Sequence, residues 1–182
     1  MMFLILCLLL SQGAEMKHVA DATQRNVTVR SGNRLASGVI IQDNIVLANF
    51  HALATDSNIT VNGNEAKIIA VDLENDLILL KTSTRNTKKL VLNDKVGVGE
   101  QVFYVANTNG HADFVSFGRV NFIERFIYTD TVPIGGCSGG GLYNLAGELV
   151  GINVGHELNR IGLHIKASVV KDFLSEHKDK LK

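Results

Sequence analysis

Ser138 lies in the segment of this chain that is richest in glycine, and its setting suits a nucleophile. The stretch from Gly135 to Gly141 reads Gly-Gly-Cys-Ser-Gly-Gly-Gly. A nucleophilic serine needs its hydroxyl exposed on a sharp turn with bare backbone N–H groups beside it, and glycines on both sides permit that geometry. A glycine-rich turn between two strands has a similar sequence, so this segment alone predicts either a nucleophile or a tight turn.

His51 and Asp76 supply the two other groups that a serine nucleophile needs. His51 follows an apolar run, where an imidazole can act as a general base toward the serine. Asp76 enters the wholly apolar run Leu77–Leu80, so its carboxylate is expected to be partly buried and hydrogen-bonded. Holding one tautomer of a histidine is such a use. The order and settings of the three residues therefore predict a triad of His51, Asp76 and Ser138.

The elements that must position these residues are predicted to be short strands. Six strand-length runs rich in β-branched residues lie within Asn26–Leu80, with turn residues such as Asn62-Gly63 between them. After the polar stretch Thr82–Lys89, six more runs follow within Gln101–Ile165. Two sets of six strands predict two barrels. Apolar residues at helical spacing behind Ser168, a residue that can cap a helix, predict a closing helix.

The chain resembles the trypsin-like serine proteases, specifically the HtrA/Deg type, from about Val27 to the final helix. The segments that carry this likeness are Ser37-Gly38-Val39-Ile40, Leu47-Ala48-Asn49-Phe50-His51, Asp76-Leu77-Ile78-Leu79-Leu80-Lys81 and Gly136-Cys137-Ser138-Gly139-Gly140. The resemblance implies an all-β fold of two perpendicular six-stranded antiparallel barrels, a C-terminal helix and a site between the barrels. It also implies a serine endopeptidase that forms an acyl-enzyme with protein or peptide substrates and uses no cofactor.

Further site residues follow from the same resemblance. The backbone N–H groups of Gly136 and Ser138 are expected to form the oxyanion hole. Val154, Gly155 and His156 are expected to offer backbone groups to an extended substrate.

The primary specificity pocket is assigned to two positions by the resemblance. Val132 stands where the family has the pocket floor, so a substrate cation would find no carboxylate partner and basic residues are expected to be poor. His164 lies on the neighbouring wall. Small or medium aliphatic side chains are the expected choice. A His164 ring that faces the pocket would instead favour an acidic or amide side chain.

Departures from the family pattern leave two alternatives open. Cys137 replaces the usual Asn or Asp, Gly141 replaces a common Pro, and no PDZ-like domain follows. Cys137 is a rival nucleophile, but Ser138 occupies the position directly before Gly-Gly, so Cys137 is expected to be structural and turned inward. The second alternative is a catalytically inactive homologue that acts as a binding module, because activity depends on a correctly turned oxyanion loop.

The amino terminus predicts export. An apolar block of about ten residues is too short to cross a bilayer and suits a signal peptide, although a buried first strand is the alternative. Residues 1–14 are the predicted signal, and residues 15–182 the protease domain, with barrels over about 24–82 and 95–166 and a helix over about 168–178. A secreted or periplasmic location is expected, with no membrane span in the mature chain.

Composition argues against other classes of function. The chain of 182 residues carries 18 basic and 18 acidic side chains, so it has no excess positive field to attract nucleic acid. Its six histidines lack the paired cysteine or carboxylate spacing of the usual metal sites, so no metal is expected.

Overall fold

Short apolar runs fold into strands that pair into two barrels. The computed structural model describes residues 13, 16–53, 58–86, 88–108, 111–131, 133–157 and 161–181. Within these residues, twelve strands form two closed antiparallel barrels of six strands each, so the predicted all-β double barrel is confirmed. The predicted signal peptide lies outside the described residues, apart from Gly13.

The first barrel closes because its first strand pairs with both the second and the fourth. Around the barrel the strand order is β1-β2-β3-β6-β5-β4. Asn62 and Gly63, both with positive φ, form the tight turn between β4 and β5, as an Asn-Gly hairpin requires. The strands are β1 (Asn26–Ser31), β2 (Arg34–Gln42), β3 (Ile45–Asn49), β4 (Ile59–Val61), β5 (Asn64–Asp72) and β6 (Leu77–Thr82).

The second barrel has the equivalent arrangement, with strand order β10-β11-β12-β9-β8-β7. Its β8 strand extends over 13 residues and is largely exposed. The strands are β7 (Gln101–Thr108), β8 (His111–Ile123), β9 (Ile127–Thr129), β10 (Gly141–Asn144), β11 (Leu149–Glu157) and β12 (Ile161–Lys166).

Helices flank the barrels at both ends of the described chain. Residues 16–23 form α1, which the sequence reasoning did not predict. The helix α2 spans Ala167–Glu176, and a short 3-10 helix follows at Lys178–Leu181. The expectation that Ser168 caps α2 is wrong, because the helix begins one residue earlier and Lys166 occupies the N-cap without a side-chain hydrogen bond. Burial of one face of α2 against the second barrel stabilises it instead.

One hydrophobic cluster joins both barrels and α2. It contains Leu47 and Leu77 of the first barrel, Phe103 and Leu149 of the second, and Phe173 of α2. The junction between the barrels is therefore a packed core, which fixes the strand ends on either side of it. No helix in the described part of the chain is long and apolar enough to cross a membrane.

Candidate active site

Three of the predicted residues meet where the two barrels face each other. The Nδ1 atom of His51 lies 2.5 Å from Oδ2 of Asp76, and its Nε2 atom lies 3.1 Å from Oγ of Ser138. The His51 side chain is 47% exposed and that of Asp76 is 24% exposed. The imidazole thus connects a partly buried carboxylate to a serine hydroxyl and remains open to solvent.

Strand register brings His51 and Asp76 together. Asn49, the last residue of β3, pairs with Leu77, the first residue of β6. Asp76 adopts a left-handed φ of 57° just before β6, and its carboxylate accepts the His51 N–H at 2.8 Å. The Asp76 carbonyl accepts the Asn49 side-chain N–H at 3.0 Å and the Phe50 N–H at 3.3 Å. Both the carboxylate and the backbone carbonyl of Asp76 are therefore hydrogen-bonded to residues at or just after the end of β3.

The backbone of the turn that carries Ser138 requires glycine at position 139. Its φ is +88°, and a Cβ atom there would lie 2.2 Å from the carbonyl oxygen of Ser37. No side chain fits in that space, so the turn can approach the first barrel only with glycine at this position. At Gly141, a Cβ atom would instead meet the ring of Tyr143 at 2.6 Å, which explains a glycine at that position as well.

Ser37 of β2 anchors this turn to the first barrel. Its N–H donates to the Ser138 carbonyl at 2.8 Å, and its hydroxyl donates to the Gly136 carbonyl at 3.0 Å. The same hydroxyl accepts the N–H of Asn107 at 2.7 Å, and Ser37 is fully buried. Sequence reasoning placed Ser37 in a family-like segment without giving it a role. The hydrogen-bond partners of this hydroxyl lie 70 and 99 residues away in the chain, so no local sequence pattern indicates its role.

The N–H groups of Gly136 and Ser138 have no protein acceptor among the residues that the structure describes. Among the described residues, neither group donates a hydrogen bond, whereas the adjacent Cys137 N–H donates to the Ile134 carbonyl. Gly136 has a φ of +94°. Two neighbouring unpaired N–H groups beside a serine hydroxyl can stabilise a negatively charged oxygen that forms there.

Cys137 is turned away from the cleft. It is 4% exposed, its thiol donates to the Ile134 carbonyl, and the side-chain N–H of Asn153 lies 3.4 Å from Sγ. Burial raises the pKa of this thiol to about 11. Since a thiolate is the nucleophilic form, these surroundings do not suit Cys137 to attack a substrate.

The predicted substrate strand presents a free edge beside Ser138. Pairing of β10 with β11 ends at Ile152, and the next residue, Asn153, exchanges backbone hydrogen bonds with Gly139 and Gly140. The following residues of β11, among them Val154, Gly155 and His156, have no strand on that side among the described residues. The Val154 carbonyl lies 3.5 Å from Ser138 Oγ.

Of the two residues assigned to the specificity pocket, the structure describes only His164. Val132 lies outside the described residues. His164 is fully buried inside the second barrel, where its Nε2 lies 2.9 Å from Thr129 Oγ1. Burial lowers the pKa of His164 to about 3, so the ring is neutral. The ring is closed off from solvent, and its role in the primary pocket stays a prediction.

Across the described ranges, no three His, Cys, Asp or Glu side chains are grouped so as to hold a metal ion.

Comparisons with known proteins agree with the fold. The family model described as "Trypsin-like peptidase domain" matches residues 36–152. The "Probable periplasmic serine endoprotease DegP-like" of Pseudomonas fulva is 37% identical over 68% of this chain and 29% of its own length. The "Serine endoprotease DegS" of Haemophilus influenzae is 32% identical over 79% of this chain and 49% of its own length.

Structural comparison extends this agreement to both barrels. The solved serine endoprotease from Yersinia pestis superposes with a TM-score of 0.80 and 30% identity, over 89% of this chain and 65% of that one. The chain spans less than half of the curated relatives' lengths. On the matched family model and the shared double barrel, the chain belongs to the trypsin-like peptidases, among proteins of the HtrA/Deg type.

Proposed function

We propose that this chain is a serine endopeptidase that cleaves peptide bonds through His51, Asp76 and Ser138. The observation that carries the proposal is the unbroken contact from the Asp76 carboxylate through His51 to Ser138 Oγ, over 2.5 Å and 3.1 Å. This arrangement matches the roles of nucleophile, base and orienting carboxylate in the serine triad. The membership of the chain in a peptidase family supports it further.

The reaction begins when Ser138 Oγ attacks the carbonyl carbon of the scissile bond and its proton passes to Nε2 of His51. Asp76 stabilises the imidazolium and keeps Nδ1 protonated. The carbonyl oxygen becomes an oxyanion, which the N–H groups of Gly136 and Ser138 stabilise. His51 then gives its proton to the leaving amine, and an acyl-enzyme forms on Ser138. Water, deprotonated by His51, hydrolyses this ester and restores the serine.

Substrate binds as an additional strand along Val154, Gly155 and His156. The open edge of β11 beside Ser138 supports this mode, because unpaired backbone groups on a strand edge can pair with an extended peptide. The family resemblance assigns Val132 to the floor of the primary pocket, so the proposed preference is for small or medium aliphatic side chains before the cleaved bond, with Lys and Arg disfavoured. Enclosure of His164 in the barrel weighs against recognition of acidic side chains by its ring.

The alternative is an inactive homologue that binds peptides without cleaving them. An exposed His51, and two N–H groups with no acceptor in the described part of the chain, favour catalysis over this alternative. We further propose that the enzyme acts in the periplasm or outside the cell. The apolar amino terminus and the periplasmic relatives support this location.

Labelling with a fluorophosphonate probe tests the proposal, because the probe reacts only with a serine that has a working base and oxyanion hole. We expect one probe molecule per chain, attached to Ser138, and no labelling of Ser138→Ala. Ser83→Ala, at an exposed bend, is the matched control and should label at the wild-type rate. A correctly folded wild-type protein that fails to label would support the binding module instead.

A further inference from the structure

A pocket of about 150 Å³ lies where α1 meets the chain that connects the two barrels. We call it the linker pocket, because residues 88–91 of that connection form one of its walls. Residues 146–148, in the turn between β10 and β11, form a second wall. No residue of the triad lines it. The remaining lining residues are Arg25, Tyr143 and the α1 residues His18, Asp21 and Ala22.

Close packing and backbone hydrogen bonds hold the walls of the linker pocket together. The Leu149 N–H donates to the Val91 carbonyl at 2.8 Å, and the Asn93 N–H donates to the Leu149 carbonyl at 2.9 Å. The His18 ring packs so closely on the β10–β11 turn that a Cβ atom at Gly147 would lie 2.9 Å from its Nδ1. The pocket is therefore part of the packed fold and not a gap between loose segments.

Arg25 contributes a buried positive charge to the linker pocket. It is 4% exposed, and its guanidinium donates to the backbone carbonyls of Ile40 and Lys88. Burial lowers the pKa of Arg25 from its ordinary value. Among the described residues, Arg25 forms no ion pair with a carboxylate. A buried charge is costly unless an opposite charge compensates it, and two neutral carbonyls engage only part of the five guanidinium N–H groups.

Both carboxylates that line the linker pocket are engaged by other groups. Asp21 forms an ion pair with Lys88. Glu148 accepts side-chain N–H groups from Asn144 at 2.8 Å and from Asn93 at 2.6 Å. These two hydrogen bonds hold the pKa of Glu148 below its ordinary value, so it is ionised and already bound. Neither carboxylate compensates the guanidinium.

Three groups of the linker pocket are left to bind an anion. Lys89 is exposed and has no partner within the described part of the chain, and Arg25 keeps N–H groups that its two carbonyl acceptors do not use. Tyr143 is 1% exposed, and its hydroxyl makes no hydrogen bond to the described residues. Burial raises the pKa of Tyr143, so the hydroxyl keeps its proton and can donate it. Two cations and one neutral donor favour a ligand with more than one negative charge.

We infer that the linker pocket binds a small multivalent oxyanion, such as phosphate or sulfate, between Arg25 and Lys89. Its volume is well below the range of about 300–1,000 Å³ for pockets that hold drug-sized ligands, so a small ion is the fitting occupant. The planar fork of a guanidinium matches a pair of phosphate oxygens. The bound ion joins α1, the connection between the barrels and the second barrel. This inference does not depend on the proposed peptidase activity.

The test is a titration of the Ser138→Ala protein, which cannot digest itself, with sodium phosphate at constant ionic strength. Isothermal titration calorimetry should show one saturable site per chain. The melting temperature should rise with phosphate, because a ligand that binds only the folded chain stabilises it. Sulfate should act like phosphate, and acetate should bind about tenfold more weakly or less. Absence of a saturable site, or an equal effect of acetate, overturns the inference.

Lys89→Gln tests the site without disturbing the backbone contacts of Arg25. It should raise the phosphate Kd about tenfold, because it removes one charge-assisted hydrogen bond. Lys67→Gln is the matched control, since Lys67 is an exposed residue of β5 that does not line the pocket, and it should keep the original Kd. Equal weakening in both variants would mean a general attraction to positive charge, which contradicts a site.

Ala146→Glu tests the same charge balance by supplying an anion from the chain. Ala146 is exposed and lines the linker pocket, so a carboxylate there should raise the melting temperature without phosphate and weaken phosphate binding about tenfold. Unchanged phosphate binding in this variant contradicts the location. Hydrogen exchange checks it again: phosphate should slow exchange in residues 16–25 and 88–93 and leave β8 unchanged. Slower exchange confined to other segments places the ion elsewhere and overturns the inference.

Discussion

The hydroxyl of Ser37 lies 3.0 Å from the carbonyl oxygen of Gly136, although 99 residues separate them in the chain. The Ser37 N–H also donates a hydrogen bond to the Ser138 carbonyl. Ser37 therefore binds two carbonyl groups of this turn to the first barrel. The N–H groups of Gly136 and Ser138, on either side of Cys137, have no acceptor among the described residues. One buried serine thus ties the first barrel to the turn that carries the proposed oxyanion hole.

Ser37→Ala is expected to lower kcat/KM on the order of tenfold. The substitution leaves the half-buried Gly136 carbonyl and the N–H of the buried Asn107 without their hydroxyl partner, and each unmade bond costs about 1–3 kcal/mol. Steady-state kinetics with a good peptide substrate measures the effect, with Ser83→Ala as the exposed control. A purely structural role would lower the melting temperature and leave kcat/KM within about twofold of the wild type, which would contradict the assignment.

Substitutions in the triad should lower activity far more than they lower stability. We expect Ser138→Ala and His51→Ala each to reduce peptide hydrolysis by several orders of magnitude, and Asp76→Asn by about ten-thousandfold through the wrong histidine tautomer. Initial rates together with circular dichroism separate loss of chemistry from loss of fold. Retained turnover in folded Ser138→Ala would refute the nucleophile.

Gly139→Ala is expected to destabilise the protein by more than about 2 kcal/mol, because the added Cβ meets the Ser37 carbonyl and the backbone has a positive φ. Gly97→Ala is the matched control, since a Cβ there meets only the Glu100 side chain at 4.0 Å. Urea unfolding of both variants in the Ser138→Ala background avoids self-digestion. Equal midpoints for the two variants would show that the turn tolerates a side chain.

Much of the fold and the triad could be predicted because the signals are local. His51 and Asp76 border the apolar runs that become β3 and β6, and glycines mark the Ser138 turn. The contacts that orient these groups are long-range. No spacing in the sequence pairs Ser37 with Gly136, or places Arg125 of one barrel against Glu74 of the other.

The helix α1 shows a different reason for a missed prediction. It comes just after the residues that the amino-terminal pattern assigns to a signal peptide. Its Ala22 packs in the central core. Arg25, two residues after the end of the helix, is buried, and its guanidinium donates a hydrogen bond to the Ile40 carbonyl. Tertiary packing thus decides this element, and a short helix has little intrinsic stability of its own.

Cys137 should react slowly with iodoacetamide. With a thiol pKa of about 11, only about one molecule in a thousand carries the thiolate at pH 8, and the 4% exposure limits access further. Mass spectrometry after timed alkylation should find the native protein largely unmodified and the denatured protein fully modified. Rapid alkylation with parallel loss of activity, and an active Ser138→Ala variant, would identify Cys137 as the nucleophile.

The buried ring of His164 is expected to make the protein less stable in acid. Its pKa is about 3 in the folded chain against an ordinary value near 6.5, so between these values the unfolded chain binds a proton that the folded chain does not. Stability contributed by the neutral ring is full above about pH 6.5 and falls as the pH drops toward 3, by up to about 1.4 kcal/mol per pH unit.

His164→Gln keeps a polar side chain near Thr129 Oγ1 and does not titrate, so it should flatten this slope even if it lowers stability at neutral pH. Urea unfolding at several pH values, again in the Ser138→Ala background, measures both slopes. His111→Gln, at an exposed position of β8, is the control and should keep the wild-type slope. Equal slopes for His164→Gln and the wild type would mean that the ring is protonated in the folded state, and the contact with Thr129 would then need a different proton assignment.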